Sequence, residues 1–500
     1  MSAELAGLRP PSKREQATSP GEWRDVGTSA ASDPLSARRF RQGTLALVGL
    51  ALGLGLLRLS HNDIWYDEAA SLFFARQSGL GFFRVLLRED THGPVYYGLL
   101  RLWTLALGES MWTVRLPSVV CAAGAVLVTA HLGARLFGRT LGLLGALLLA
   151  ASPFHLYYAQ EVRFHSFLEL LASLHLLSFL HLSAPPSGAD GRPARWPWWT
   201  FVITGAACVL TFYLSGLLLV AEALVAGFAW RTIPRRRVFT AFAALATICS
   251  LWLPALVWQV RHTHGTVRWI PDRSTWKFLA ETGQTFTAGK HAIWLDHVVT
   301  VALAVAVAVA LVQAFRRRQR EQIALACWFS LPVLAILVIS NWQPLYEPRY
   351  LFAILPAFFL LAVAGVGRLR NPWLRLPVFA VLVAMFASAD VRQYAHFKFS
   401  ERWRDAAAYV RKQAMPTDVL VTLPSHEVVS LYYYFPEFKR RRGTNRAFDV
   451  NHMFVRGSRL WLFTYQDGFR VPQESLTPDA LLLESRDFGT LNVSSFLLRR

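Results

Sequence analysis

The feature that most constrains this chain is the spacing of its apolar residues, which gather into blocks of about 15 to 25 residues punctuated by arginine clusters. A hydrocarbon core of ~30 Å takes about 20 residues of helix at 1.5 Å rise, so blocks of this length read as transmembrane helices. Of the 500 residues, 54% are hydrophobic and only 17% charged, against about 25% charged in soluble domains. A formal charge of +20 would suit nucleic acid if the basic residues formed a face of their own. They sit instead between apolar blocks, at Arg38, Arg39 and Arg41, at Arg231 and Arg235 to Arg237, at Arg316 to Arg318 with Arg320, and at Arg368, Arg370 and Arg375. That is the positive-inside pattern of cytoplasmic loops. The partner it implies is the lipid bilayer, and not nucleic acid.

Eleven spans are expected, near 43–59, 94–108, 115–136, 140–157, 162–182, 199–230, 238–260, 294–314, 321–340, 349–367 and 373–389. The chain is therefore expected to be an all-α polytopic membrane protein of about 11–13 transmembrane helices. Residues 1–42, rich in Ser, Pro, Arg and Ala without apolar periodicity, read as a disordered cytoplasmic tail. Alternation from a cytoplasmic N-terminus puts 60–93, 261–293 and the C-terminal tail outside. Two features strain this count. Arg135 and Arg139 fall on the outer side, and the block 199–230 is too long for one upright helix, so a broken or re-entrant helix is expected there. The membrane domain, 43–390, is followed by a small extracytoplasmic α/β domain, 391–500, with helices at 401–413 and 428–434 and strands at 418–423 and 459–465. The four cysteines lie in apolar blocks without CxxC spacing, which suggests neither a disulfide framework nor a zinc site.

The first outer loop carries two acidic clusters, Asp63, Asp67 and Glu68, then Glu89 and Asp90 with His92. A solvated loop is the plain reading. The sharper one brings Asp67 and Asp90 to one site, where a carboxylate takes a proton from an acceptor hydroxyl or binds a cation. Glu161 and Arg163 are charges between two apolar blocks, costly unless functional. The span count puts them on the cytoplasmic side, so they form either a helix junction or part of an inward-facing cavity. Arg349, followed by Tyr350, opens a span from outside, where its paired N–H donors could hold a phosphate or snorkel to headgroups. Lys290 and His291 are weaker candidates of the same kind. His262 and His264 read as loop residues, and no metal site is expected. In the tail, Tyr432 to Tyr434 could stack on a saccharide, although packing a small core is the commoner use of aromatics.

The Asp67-Glu68 pair, the run Thr91-His92-Gly93-Pro94-Val95-Tyr96-Tyr97, the start Arg115-Leu116-Pro117-Ser118, and Ser152-Pro153-Phe154-His155 followed by Gln160-Glu161-Val162-Arg163 together resemble the GT-C membrane glycosyltransferases. Within them the likeness is to the bacterial branch related to protein O-mannosyltransferases and the lipid A aminoarabinose transferase. The resemblance covers 43 to about 390. It implies the GT-C fold in the cell (inner) membrane, a polyprenyl-phosphate sugar donor, and inverting transfer of a mannose- or aminoarabinose-like sugar on the extracytoplasmic side. The acceptor is a hydroxyl or phosphate on a glycolipid, protein or polysaccharide. Asp67 becomes the catalytic base with Glu68 beside it, and Asp90, His92, Glu161, Arg163, Arg349 and Tyr350 become donor- or acceptor-binding residues. No cofactor is required, although a divalent metal such as Mg²⁺ or Mn²⁺ could sit near the phosphate. Two positions depart from the family pattern: Gly93 stands where a second proline is common, and Thr211-Phe212-Tyr213 lacks a polar His or Lys. The rival reading is a secondary transporter or lipid-linked sugar flippase using Asp67, Asp90 and Glu161 as ion or proton sites. Charges at span ends in a long outer loop, rather than at the midplane, favour the enzyme.

Overall fold

The computed structural model describes residues 35–185, 194–262, 274–289, 292–369, 371–395, 401–423, 427–442, 459–465 and 480–498. The apolar blocks fold as helices, beginning with α1 (Ala37–Leu56), whose N-cap Ser36 accepts from the Arg39 N–H. The first outer loop holds two short helices, α2 (Tyr66–Arg76) and α3 (Gly79–Glu89). There follow α4 (Val95–Leu107), α5 (Met111–Phe137), α6 (Arg139–Ala150), α7 (Pro153–Ala159), α8 (His165–Leu182), α9 (Trp196–Val209), α10 (Gly216–Phe228), α11 (Arg235–Ser250) and α12 (Leu253–His262). Beyond them come α13 (Thr275–Ala288), α14 (Trp294–Arg317), α15 (Arg320–Ile339), a 3₁₀ turn (Pro348–Ile354) running into α16 (Leu355–Val366), and α17 (Arg375–Ala395). By length and hydropathy, six helices among the described residues could cross a membrane, or eight spans if the bent pairs α6/α7 (62°) and α11/α12 (50°) each count as one.

The helix ends that touch one another determine the passes. At its start α5 meets the first outer loop, where Arg115 donates to the carbonyls of Leu59, Asn62 and Asp63. At its far end Arg135 pairs with Glu321 of α15 at 2.5 Å, and Arg139 donates to the Leu35 carbonyl ahead of α1. Helix α4 begins beside Asp90 and ends beside the start of α5, where Trp103 Nε1 donates to the Thr113 carbonyl at 2.7 Å. Its 13 residues reach only ~20 Å, and both its ends stay on one side. The expected span 94–108 is thus not a crossing. The expected span 199–230 is two, because α9 stops at Val209 and the chain turns through Tyr213–Ser215 before α10 begins.

One expected pass is lost and one gained, so the expected count of eleven is unchanged, with six helices, or eight spans when the bent pairs are joined, meeting the length and hydropathy of a crossing among the described residues. The contacts at the helix ends are consistent with passes by α1, α5, α6/α7, α8, α9, α10, α11/α12, α14, α15, the 3₁₀ turn with α16, and α17. The correction relocates two groups. Arg135 and Arg139 join the arginine clusters at the far end, which removes their conflict with the charge rule. Gln160 to Arg163 move to the end that carries the first outer loop, rather than the cytoplasmic end.

The helix break also explains Gly93. The Gly93 N–H donates to the Thr211 carbonyl (3.3 Å) and the Val95 N–H to the Leu210 carbonyl (3.2 Å). A Cβ at position 93 would lie 1.9 Å from the Leu210 oxygen, a contact no side-chain-bearing residue tolerates. Proline is excluded there for the same reason.

After α17, five strands form one sheet in the order β2-β1-β3-β5-β4: β1 (Val419–Leu423), β2 (Lys439–Arg442), β3 (Arg459–Tyr465), β4 (Ala480–Phe488) and β5 (Leu491–Leu498). Strand β1 runs parallel to β2 and β3, while β5 pairs antiparallel with β3 and β4. The sheet is accompanied by α18 (Trp403–Gln413) and α19 (Val428–Tyr434). Trp403 stacks between Tyr434 and Phe463, with ring centroids at 5.4 and 5.6 Å. Helix α19 rests on α2: Tyr434 Oη accepts from the Ile64 N–H (2.7 Å) and donates to the Ile64 carbonyl (2.9 Å), and Arg76 donates to the Tyr432 carbonyl. Asp63 pairs with Arg404 of α18.

Candidate functional site

Asp67 and Glu68 occupy the first turn of α2, where the helix dipole favours negative charge. Consecutive helical residues point about 100° apart, and here that separates their roles. Glu68 is 1% exposed, and its two oxygens receive Arg115 Nε (2.8 Å) and Nη2 (2.7 Å), with the Val162 N–H at 2.9 Å. These donors hold α2 against α5 and the 160–163 turn. Glu68, expected beside the base as part of the chemistry, is buried and spoken for by other groups.

Asp67 is partly exposed and pairs with two arginines. Arg349 Nη1 donates to its Oδ2 at 2.6 Å, and Arg163 Nε stands 4.0 Å from the same oxygen. Arg163 also reaches Ser71 Oγ (3.3 Å) and lies over the Phe164 ring. The side chains of Asp67, Arg349 and Arg163 are 14%, 16% and 9% exposed. Burial by itself would raise the Asp67 pKa, but the Arg163 and Arg349 guanidiniums hold it below the usual carboxylate range. Asp67 is therefore ionised at neutral pH.

The second acidic cluster stands near the same guanidinium, Arg163. Asp90, at the end of α3, takes His92 Nδ1 at 2.6 Å, Tyr97 Oη at 2.6 Å and the Thr91 N–H at 2.7 Å. Burial works against its charge, while His92, Tyr97 and Arg163 keep its pKa low. Gln259 of α12 fixes the backbone here by donating to the carbonyls of Leu86, Asp90 and His92, and its own oxygen accepts from Tyr213 Oη. An aromatic wall joins the parts: His92 lies 4.8 Å from Phe164 and 5.8 Å from Phe212, and Phe212 lies 5.5 Å from Tyr350. Beside Arg349 is a cavity of about 210 Å³ lined by Tyr157, Tyr158, Glu281, Thr285, Glu347 and Gln393, with Phe154 among its apolar parts. Drug-sized ligands take ~300–1,000 Å³, so this volume is on the scale of one sugar ring.

Of the residues singled out in the sequence, Asp67, Asp90, His92, Arg163, Arg349 and Tyr350 thus line one region. Glu161 is fully buried next to them, its carbonyl accepting from Ser118 Oγ at 2.5 Å. Sequence reasoning passed over Gln259 and Glu347, and used Tyr97 and Arg115 only as parts of motifs. A lone Gln in an apolar helix was the available signal for Gln259. His262 Nδ1 meets the Trp258 carbonyl and its ring stacks on Trp258, while His264, Lys290 and His291 lie outside the described residues. Among the described residues no group of three or more His, Cys, Asp or Glu could hold a metal ion. The tail tyrosines pack inward: Tyr434 on Trp403, and Tyr432 5.4 Å from Phe73.

Known proteins share this architecture. The sequence profile of a family described as dolichyl-phosphate-mannose-protein mannosyltransferase matches residues 91–258. The chain is 28% identical, over 358 residues, to the undecaprenyl phosphate-alpha-4-amino-4-deoxy-L-arabinose arabinosyl transferase of Pseudomonas aeruginosa, a match covering 66% of this chain. It spans 61% of the length of the curated relatives it matches. In three dimensions it superimposes on ArnT from Cupriavidus metallidurans in the apo state with a TM-score of 0.62 at 15% identity, over 90% of this chain and 97% of that one. ArnT bound to undecaprenyl phosphate gives a TM-score of 0.58 at 15% identity, with the same 90% and 97% covered. The archaeal oligosaccharyltransferase AglB from Archaeoglobus fulgidus gives 0.54 at 11% identity, over 84% and 69%. These likenesses show that the chain has the GT-C fold of these membrane glycosyltransferases. In sequence it is similar to the mannosyltransferase family over residues 91–258 and to the arabinosyl transferase over 358 residues.

Proposed function

We propose that this protein transfers a sugar from a polyprenyl-phosphate donor to an acceptor hydroxyl or phosphate at the extracytoplasmic face of the cell membrane, with inversion. The observation that carries the reading is the Asp67 carboxylate, ionised and shared by Arg349 and Arg163 at the edge of a sugar-sized cavity. Support also comes from the relatives, one named as acting on an undecaprenyl-phosphate aminosugar and one solved with undecaprenyl phosphate.

A polyprenyl-phosphate sugar is a phosphodiester with a single negative charge. Arg349 and Arg163 present fork-shaped donors to it, and a phosphate that draws Arg349 away leaves the Asp67 carboxylate free to accept a proton. The acceptor hydroxyl, deprotonated by Asp67, attacks the anomeric carbon from the side opposite the phosphate. The C–O bond to phosphate breaks, and the departing polyprenyl phosphate is stabilised by the two guanidiniums. One displacement inverts the anomeric centre. Where the acceptor is itself a phosphate, no proton needs removal, and Asp67 serves by holding the arginines in register. Glu281, Glu347 and Gln393 in the cavity supply acceptors for sugar hydroxyls or an amino group.

The decisive experiment incubates the purified protein in lipid nanodiscs with polyprenyl-phosphate sugars and an extract of envelope acceptors, followed by mass spectrometry of the products. A transferred sugar that disappears with Asp67→Asn supports the reading. Movement of the lipid-linked sugar between leaflets without any transfer would favour the flippase instead.

A further inference from the structure

The starts of α9 and α11 meet at the end of the molecule opposite the site: α9 runs from Trp196 to the break beside Gly93, and α11/α12 runs from Arg235 to the region of Gln259. Between these two starts lies a cleft of about 770 Å³ lined by Arg195, Trp198, Trp199, Arg235, Arg236 and Arg237. No acidic residue lines it, and among the described residues none of the four guanidiniums pairs with a carboxylate. Arg235 donates to the Trp230 carbonyl, Arg237 to the Ala194 carbonyl, and Trp198 Nε1 to Thr240 Oγ1 at 3.2 Å. Above the arginines stands an exposed apolar face: Trp199 and Ile203, one turn apart on α9, and Phe239 on α11 are 57%, 61% and 64% exposed.

We propose that this cleft binds the headgroup of an anionic diacyl phospholipid in the leaflet facing away from the transfer site. The chemistry fits at three depths. The guanidiniums match phosphate oxygens, the tryptophans belong at the membrane–water boundary, and the Trp199, Ile203 and Phe239 face receives an acyl chain. Basic pockets between transmembrane helices are the form such lipid sites take. The apolar face is what separates this occupant from free phosphate, which has no use for it.

The test titrates phosphatidylglycerol into the purified full-length protein in neutral detergent, read by native mass spectrometry and by thermal melting. Inorganic phosphate at the same concentration serves as the second ligand. We expect one saturable lipid, a raised Tm, and no shift with inorganic phosphate. Each arginine near an anionic headgroup contributes roughly fivefold in affinity, so Arg235→Gln/Arg236→Gln/Arg237→Gln weakens binding on the order of a hundredfold. The matched triple Arg316→Gln/Arg317→Gln/Arg318→Gln keeps wild-type binding. If the first triple fails to insert, Arg236→Gln alone is read, with an expected loss of about fivefold. Equal lipid affinity in the wild type and in whichever cleft variant is read, or an equal Tm shift from inorganic phosphate, overturns the proposal.

Discussion

Asp67→Asn removes the one charge that Arg349 and Arg163 share, so it separates two effects that the sequence alone would merge. Loss of a general base lowers turnover by ~10²–10⁴. Two guanidiniums left facing an amide also cost about 1–3 kcal/mol of stability, so a modest fall in Tm accompanies the lost activity, whereas a solvated loop carboxylate would have left melting unchanged. Arg349→Gln should raise the donor KM by roughly tenfold to a hundredfold, since a charge-assisted hydrogen bond contributes ~1.5–3 kcal/mol; an unchanged KM returns Arg349 to the headgroups. The pH profile tests the pair directly. Because Asp67 is held below the usual carboxylate range, it stays ionised as pH falls through 5, and the acid limb of kcat/KM lies below that of an ordinary aspartate. In Arg349→Gln that limb moves to higher pH. Glu68→Gln, by contrast, breaks a buried pair and costs ~3–5 kcal/mol, seen as lost yield and Tm with activity per folded molecule retained. The sequence sets Asp67 and Glu68 side by side in the chemistry, with Asp67 as the base. Which of the two is buried depends on Arg115, 47 positions after Glu68, and no local pattern encodes that.

At the scale of elements, apolar length announces helices well and crossings less well. The run 94–108 has the composition of a span, yet Trp103 and Arg101 tie α4 back to its own side. The misplaced Arg135 and Arg139 and the excess length of 199–230 mark two miscounts that offset each other, a false pass at 94–108 and a missed one at 199–230. In the tail the strands with alternating or continuous apolar residues, β1 and β3, are legible, as are α18 and α19. Strands β2 and β4 escape notice because Lys-Arg-Arg-Arg and Glu-Ser-Arg-Asp, charged runs suited to sheet edges, carry no strand period. The docking of α19 on α2 makes Tyr434→Phe informative. It deletes the hydroxyl that both accepts from and donates to Ile64, two residues ahead of α2, at a cost of about 1–2 kcal/mol. If the outer domain positions α2, kcat falls more than donor KM rises; equal kinetics with a lowered Tm would confine the contact to stability.

For the whole molecule, the revised passes predict that Ser78 and Met415 share one side of the membrane while Arg236 and Arg318 share the other. Single cysteines at these exposed positions, in a cysteine-free background, should label with an impermeant reagent in two groups; Ser78 and Arg236 reacting together would break the topology. The Asp67–Arg349 pair joins residues 282 positions apart. At ~5–20 residues per second of synthesis, Asp67 leaves the ribosome on the order of 15–55 s before its arginine exists. Arg115 and Arg163 emerge sooner, yet through that interval the nascent chain carries an acidic helix start that cannot sink into lipid and lacks the closer of the two Asp67 arginines. The first outer loop must therefore wait in water while the eight expected crossings from α5 to α15 are threaded, so the site is among the last parts of this protein to be finished, and quality control in the membrane has a long window in which to find it unfinished.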